Sequence, residues 1–307
     1  MQCTVVGAGV IGLSTALALE EAGHEVRIVA EAVGATTTSA VAGAVWFPYK
    51  AGPPARVSAW AVRTRRWLEE LARTTPEAGV DVLTGYEITP DDSRPWWADG
   101  LDELTRAPAP VKGSPIAWKF SAPRAQPSLF LPWLQGRLRA QVEQHTVREL
   151  SDVAGDVVIN CTGLAARALA HDDAMYPLLG QLVIAEVGGA DLTASITDDR
   201  DPDSFFYIIP RRDELVLGGC SLPREYGSRA ELDAAIKARI VAHAERLGIK
   251  IGDVRREHVG LRPYRPEVRL ERDPHDPRIV HNYGHGGAGF TLSRGCAEDV
   301  AALVATA

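Results

Sequence analysis

Residues 3–31 read CTVVGAGVIGLSTALALEEAGHEVRIVAE. The hydrophobic pattern divides this stretch into three. Cys3 to Val6 is a short, partly β-branched run that predicts a strand. Ile11 to Glu21 carries apolar residues at helical spacing, and His24 to Val29 predicts a second strand. Between the first strand and the helix stand Gly7, Gly9 and Gly12, in the spacing Gly-x-Gly-x-x-Gly. Each glycine has its own mechanical reason. The first makes a tight turn, the second lets a pyrophosphate lie against backbone, and the third lets helix and strand pack closely. The helix N-terminus then offers N–H groups and the positive end of its dipole to the phosphates. Glu31 follows the second strand, 19 residues past Gly12. An acid there accepts hydrogen bonds from an adenosine ribose and repels a 2′-phosphate, which disfavours NADP. The stretch predicts a dinucleotide-binding βαβ unit, and the motif alone does not choose between FAD and NAD.

Three further segments bear on that choice. DVVINCTG, residues 156–163, is an apolar strand ending in Thr162 and Gly163. ATTTSAVAG, residues 35–43, carries Thr37, Thr38 and Ser39, whose hydroxyls suit phosphate or ribose and equally suit a capped polar loop. IVHNYGHGGAGFTLSRGCA, residues 279–297, sets four glycines between Gly284 and Gly289, where a predicted strand meets the last predicted helix. Glycine concentrated there suggests backbone that must come very close to something else.

Bulk composition bounds the rest. The chain has 307 residues, 46% hydrophobic and 24% charged, as ordinary globular proteins do, and its length suggests about two domains. A net charge of -7 argues against nucleic acid as a partner. The pairs Arg65-Arg66, Arg211-Arg212 and Arg255-Arg256 are isolated and read as solvated faces or turns. Cys3, Cys161, Cys220 and Cys296 are far apart with no C-x-x-C, so buried free thiols are expected and no metal site. The apolar start has no Lys or Arg before Arg27 and is interrupted by glycines, so it reads as structure rather than a signal peptide. No run of ~20 apolar residues would span a membrane. A cytoplasmic location is the expectation.

The 279–297 stretch fits the pattern of two aliphatics, His281, Asn282, Tyr283, Gly284, one residue, Gly286, Gly287, one residue, Gly289, five residues, Gly295, one residue and Ala297. VGAGVIGLSTAL, TTTSAVAGAVWFPY, DVVINCTG, YIIP, LVLGG and GLRPYRPEVRLE precede it in that order. Together they resemble the FAD-dependent D-amino-acid oxidase and D-aspartate oxidase family. The resemblance implies an α/β fold: an FAD-binding Rossmann-like domain plus an antiparallel-sheet substrate domain. It implies that residues 1–48, 130–175 and 276–307 form the first, and 49–129 with 176–275 the second. It implies non-covalent FAD contacted by Gly7, Ala8, Gly9, Val10, Ile11, Gly12, Glu31, Thr37, Thr38, Ser39, Gly43, Ala44, Val45, Val147, Thr162, Gly286, Gly287, Gly289, Phe290 and Thr291. The implied reaction takes a D-amino acid and dioxygen to a 2-oxo acid, ammonia and hydrogen peroxide, with no membrane and oligomeric state left open. SFFYIIPRRDELVLGGCSL, residues 204–222, also reads as a hairpin around Arg211 to Glu214.

In that chemistry the α-hydrogen leaves as hydride, so the protein's task is mostly positioning. The resemblance gives the substrate carboxylate to Arg262, whose guanidinium suits bidentate recognition. Arg265, three residues on, reads as an ion pair at a strand end. Tyr207 adds a phenolic hydrogen bond to the carboxylate, and the Gly287 carbonyl accepts one from the substrate amine. His285 invites a base role, but hydride transfer needs no base on the α-carbon, so a loop role is expected, and a structural one for His281. Animal members carry a second tyrosine four residues before the match to Tyr207. Here that residue is Asp203, which leaves a closing lid open to question. Ser221 stands where D-aspartate oxidases place an extra arginine, and Arg200 is a nearby cation among Asp198, Asp199, Asp201 and Asp203. Neutral D-amino acids, and also basic ones, are therefore expected over D-aspartate. The rivals are a glycine- or sarcosine-type amine oxidase and a non-catalytic flavin-binding redox module.

Overall fold

The opening stretch folds as its pattern predicts. Strand Gln2–Val6 leads through the glycine turn into helix Val10–Glu21 and strand Glu25–Ala30, and the two strands pair in parallel from Gln2 with Glu25 to Val6 with Val29. The computed structural model describes residues 1–99, 101, 103–189, 193–201 and 205–306. They divide into two compact units. The first comprises Met1–Asp81, Arg124–Pro177 and Arg262–Ala307, and the second Val82–Pro123 and Leu178–Leu261.

The first unit is a Rossmann-like α/β layer. Its sheet runs Ile279–His285, Val157–Asn160, Gln2–Val6, Glu25–Ala30, Val142–Gln144, each pair parallel. The later part of strand Val254–Arg272 joins antiparallel beside Ile279–His285. Val5, Ile28, Val158, Ile159 and Val280 are fully buried. Strands covered on both faces read as aliphatic runs rather than alternation, which is why VVI, residues 157–159, and the IVA end of strand Glu25–Ala30 are continuous apolar runs. Helix Val10–Glu21 and the last helix, Gly289–Ala305, bury Ala16, Leu19, Leu292, Cys296 and Val300 completely. Asn282 Nδ2 donates to Thr15 Oγ1 at 3.0 Å, tying the sheet to the first helix.

Helix Pro54–Thr74 packs against the last helix. Trp60 Nε1 donates to Asp299 at 2.6 Å, Arg63 pairs with the same carboxylate at 2.6 Å, and the Gly295 N–H donates to Thr64 Oγ1 at 2.9 Å. A side chain at Gly295 would fall on the Trp60 backbone. The first unit therefore takes in residues 49–81, where the sequence reading sets its boundary at 48, and likewise 124–129 and 262–275. The apolar stripe of Val57, Trp60, Ala61, Leu68 and Leu71 must be covered, and composition does not say by what.

The second unit is a sheet with strand order Thr105–Pro108, Ile116–Ala125, Val80–Ile88, Ala194–Asp198, Phe206–Pro210, Glu214–Gly218, Tyr176–Glu186. It is mixed rather than wholly antiparallel, because Thr84–Ile88 runs parallel to Ala194–Asp198. The expected hairpin is present, closed by the Arg211 N–H donating to the Glu214 carbonyl at 2.7 Å. Helix Ala234–Arg246 starts at Asp233, whose carboxylate accepts from the Ala235 and Ile236 N–H groups. One face of the sheet packs Ile196, Phe206, Ile208, Leu215 and Leu217 with Ile236, Ile240 and Ala244 of that helix. Alternation turns Thr197, Tyr207 and Gly218 to the opposite face.

All four cysteines are free and buried, and burial pushes the Cys161 thiol up to about 12. Among the described residues no helix is long and apolar enough to cross a membrane, and no three His, Cys, Asp or Glu side chains gather as metal ligands.

Candidate functional site

The three N-terminal glycines play different parts. Gly7 has φ of +120°, and a side chain on it would fall on the Cys161 carbonyl. One on Gly12 would fall on the Gly7 carbonyl, so both are demanded by packing. Gly9 is different, because an added Cβ meets only Ser39 Oγ, at 3.1 Å. Ser39 is bonded to the helix start, accepting from the Val10 N–H at 3.0 Å. Intrahelical bonding begins with the Leu13 N–H donating to the Gly9 carbonyl at 2.9 Å.

A second helix N-terminus lies beside the first. The last helix begins at Gly289, and a Cβ there would stand 3.6 Å from Val10 Cγ1. Both helices follow the C-terminal ends of parallel strands, where open α/β sheets place their ligands. Two positive dipole ends at one edge favour an anionic or electron-rich group. The bare backbone at Gly9, close only to Ser39 Oγ, and the paired N-termini fit a dinucleotide such as FAD.

The other expected cofactor residues ring this edge unevenly. Glu31 is exposed just past strand Glu25–Ala30, with its carbonyl accepting from Gln144 Nε2 at 3.1 Å. Val147 packs on Val6, Leu150, Val153, Val158 and Ile279. The hydroxyls of Thr37 and Thr162 are committed to the protein, donating to the Gly34 carbonyl at 2.8 Å and Asn160 Oδ1 at 2.7 Å. Thr38 is exposed. The Thr291 hydroxyl exchanges hydrogen bonds with the Phe47 N–H and carbonyl, each 3.0 Å, and so fastens the 43–47 segment to the last helix. Thr291 thus acts through its side chain on the loop and can offer a ligand its first-turn N–H.

Tyr264 pairs with His285, and Arg262, two residues before Tyr264, comes beside Gly287, two residues past the strand end. A Cβ on Gly287 would stand 3.4 Å from Arg262 Cδ and 2.9 Å from Tyr49 Cδ1. Gly286, at φ +54°, is closed in by the Tyr264 ring at 3.1 Å and the Lys50 carbonyl at 3.2 Å. The glycines are there because two other segments close on them. Tyr49 was not singled out from the sequence, although it ends the TTTSAVAGAVWFPY segment. Arg265 is occupied, as expected, by Asp172 at 2.9 Å. Between Tyr264 and Arg269 the register slips, so that residues 265–268 bulge opposite Gly284, at φ +87°.

The two histidines of the signature are both buried. His285 is 3% exposed with Nε2 unpartnered, and burial pushes it down to about 3, so it is neutral at any ordinary pH. His281 places Nε2 2.9 Å from Asp273 and Nδ1 3.2 Å from Asn160 Nδ2. Donation from Nε2 and acceptance at Nδ1 satisfy both contacts with one neutral tautomer.

In the second unit the Tyr207 ring lies close against Gly218 and Gly219. A Cβ on Gly218 would stand 2.6 Å from the Tyr207 hydroxyl, and one on Gly219 3.0 Å from its ring. Of the two neighbouring phenylalanines, Phe205 leans on Tyr207 at 5.6 Å between centroids, while Phe206 turns away and stacks on His243 at 4.5 Å. Tyr207 pairs with Thr197, and Thr197 with Glu87, so the three share one face. Glu87 is 4% exposed, and burial, with Asp199 nearby, pushes its carboxyl up to about 8. Arg200 is tied to Asp198 by two contacts of 2.8 and 2.7 Å, and Asp198 also meets His243 at 3.0 Å. That pairing holds Arg200 on the Phe206 side of the sheet. Asp203 lies outside the described residues.

A family model for FAD dependent oxidoreductases matches residues 2–303. A D-amino-acid oxidase of Rubrobacter xylanophilus is 39% identical over 322 residues, covering 100% of this chain and 96% of that protein. One of Streptomyces coelicolor is 40% identical over 311 residues, covering 98% and 96%. A human D-aspartate oxidase is 32% identical over 327 residues, covering 98% and 93%. Among solved structures, a glycine oxidase from Bacillus cereus superposes with a TM-score of 0.80 at 20% identity, covering 99% of this chain and 95% of that one. At that identity the likeness concerns the fold alone.

Proposed function

The chain belongs to the FAD-dependent oxidoreductase family that includes the D-amino-acid oxidases, and from that premise we propose that it oxidatively deaminates D-amino acids, preferring neutral side chains to D-aspartate. The products are a 2-oxo acid, ammonia and hydrogen peroxide. The observation that carries this reading is Arg262 lying beside Gly287, in a chain that aligns almost end to end with D-amino-acid oxidases.

Non-covalent FAD is assigned to the two helix N-termini, the bare backbone at Gly9, and Glu31. Bound there, FAD would supply a hydride acceptor for the α-hydrogen and a route for the electrons to dioxygen. The remaining work is positional. Arg262 grips the substrate carboxylate with a planar two-pronged donor. The Gly287 carbonyl accepts from the amine. Fixing both ends of an amino acid fixes the direction of its Cα–H bond, which is where most of the rate advantage of orientation arises. A neutral His285 takes no part in proton removal. The preference against D-aspartate follows from the binding of Arg200 to Asp198 and from Ser221, which cannot pair with an anion. A second carboxylate would be desolvated without a cation. The neighbouring acids Asp199 and Asp201 would instead tolerate a basic side chain. Buried free thiols suit a reducing compartment, and the enzyme is assigned to the cytoplasm on that ground.

A hydrogen peroxide assay over D- and L-amino acids, glycine and sarcosine tests the reading. D-alanine, D-methionine and D-valine should be oxidised with kcat/KM above that for D-aspartate, and the L-forms should be inert. Turnover of sarcosine or glycine alone would move the assignment to the other amine oxidases. Acid precipitation should leave the yellow colour in the supernatant, and colour in the pellet would refute non-covalent binding.

A further inference from the structure

Asp172 lies in the turn after the short helix Ala166–Leu169 and is 8% exposed. Its Oδ2 accepts from Arg265 Nε at 2.9 Å and from the Tyr283 hydroxyl at 2.7 Å, and its Oδ1 accepts from the Ala174 N–H at 3.1 Å. The Tyr283 oxygen in turn accepts from Arg269 Nη1 at 2.9 Å. Burial alone would raise the Asp172 carboxyl, but the bonds from Tyr283 and Arg265 overcome it and hold the group below the ordinary carboxylate range. The carboxylate is therefore ionised and fully engaged.

Its two main partners belong to the two strands that carry the substrate site. Tyr283 stands next to Gly284, and Arg265 opens the four-residue bulge that faces Gly284. A Cβ on Gly284 would lie 2.8 Å from Arg265 Cβ, so the bulge is seated directly on that glycine. Arg265 Nη1 also donates to the Glu267 carbonyl at 2.8 Å, and the Val268 N–H donates to the Gly52 carbonyl at 2.7 Å, which closes the far side of the bulge. The length of the bulge sets which residue of one strand faces which residue of the other. Arg262 sits three residues before it. Released from Asp172, Arg265 would also be a second guanidinium on the same strand.

We propose that Asp172 is a positioning residue for the substrate carboxylate: by holding Arg265 and Tyr283 together it fixes the bulge and keeps Arg262 beside Gly287. This rests on the reading of Arg262 as the carboxylate ligand. A carboxylate with a merely structural part would alter melting temperature and FAD retention and leave substrate affinity alone.

The test is a double-mutant cycle on holoenzyme with Asp172→Asn, Arg262→Ala and the pair. The readouts are FAD content, KM and kcat for D-alanine, and the Kd of benzoate, a carboxylate without an amine, from the flavin absorbance. Asp172→Asn should retain FAD, raise KM and the benzoate Kd together by about tenfold, and change kcat at saturation far less. On the Arg262→Ala background it should add nothing beyond about twofold, because residues acting through one another are not additive. An unchanged KM and benzoate Kd in Asp172→Asn would overturn the proposal, as would effects that multiply in the double variant. If Arg262→Ala itself leaves KM and benzoate binding normal, the underlying ligand assignment fails, and that result is read from the single variant. Should Asp172→Asn not yield holoenzyme, Arg265→Gln breaks the same bond from the more exposed partner and is judged by the same criteria.

Discussion

Arg262 and Arg265 sit three residues apart on one strand, and the charges around them separate their parts. Arg265 has a carboxylate at 2.9 Å and Arg262 lies over Gly287. Arg262→Ala should lower kcat/KM for D-alanine by roughly 10- to 150-fold, the worth of a hydrogen bond to a charged group, with FAD retained. Arg262→Lys should recover only part of that loss, because an ammonium cannot reproduce the planar fork. Steady-state kinetics against D-alanine checks both. Gly287→Ala should raise KM while leaving the protein folded, since the added methyl enters the space between Tyr49 and Arg262. A KM equal to that of the parent would show that the methyl is accommodated elsewhere. The ion pair of Arg265 was legible in the sequence from its place at a strand end. Tyr49 was not, since its value comes from a ring resting on a glycine near the other end of the chain.

At the level of elements, the strand–helix–strand opening was legible almost residue by residue, because its signal is local: glycine spacing, helical periodicity and an acid after the second strand. The bulge at residues 265–268 was not, because Asp172, 93 residues away, pins it. The parallel pairing of Thr84–Ile88 with Ala194–Asp198 was hidden for the same reason, as long-range register leaves no trace in a short window. Residues 49–129 are expected in the second domain, whereas compactness groups helix Pro54–Thr74 with the first unit, because an apolar stripe does not name its cover. The glycines of the first turn allow a sharp contrast. Gly9→Leu would place a side chain where only Ser39 stands nearby, so that variant should fold and purify largely without FAD. Gly12→Leu would drive into the Gly7 carbonyl and should fail to give soluble protein at all. Flavin absorbance per chain, read beside circular dichroism, distinguishes the two outcomes.

For the molecule as a whole, two buried groups pull the pH dependence of stability in opposite directions. Glu87 has its carboxyl raised to about 8 by burial, whereas the unfolded chain ionises near 4.5. The folded state then binds the extra proton, so stability falls as pH rises from about 4.5 to 8, by about 1.4 kcal/mol per pH unit at most. Glu87→Gln should remove that slope and raise the melting temperature at pH 8 more than at pH 5. An equal shift at both would refute the assignment. His285 is lowered to about 3 from 6.5, so the unfolded chain binds the proton first, and stability should be lost as pH falls from about 6.5 toward 3. Replacing His285 with Asn should flatten that acid limb in thermal melts. The first unit carries a further consequence, because its central sheet draws on both ends of the chain. Strand Gln2–Val6 emerges from the ribosome early, yet its neighbour Val157–Asn160 and the next strand, Ile279–His285, follow much later. Helix Gly289–Ala305, which lies against the first, is synthesised later still. At about 5–20 residues per second, the opening segment waits tens of seconds for its partners. The nucleotide cradle is therefore completed only once Gly289–Ala305 has been made, and a nascent chain stalled before Gly289 should capture no flavin.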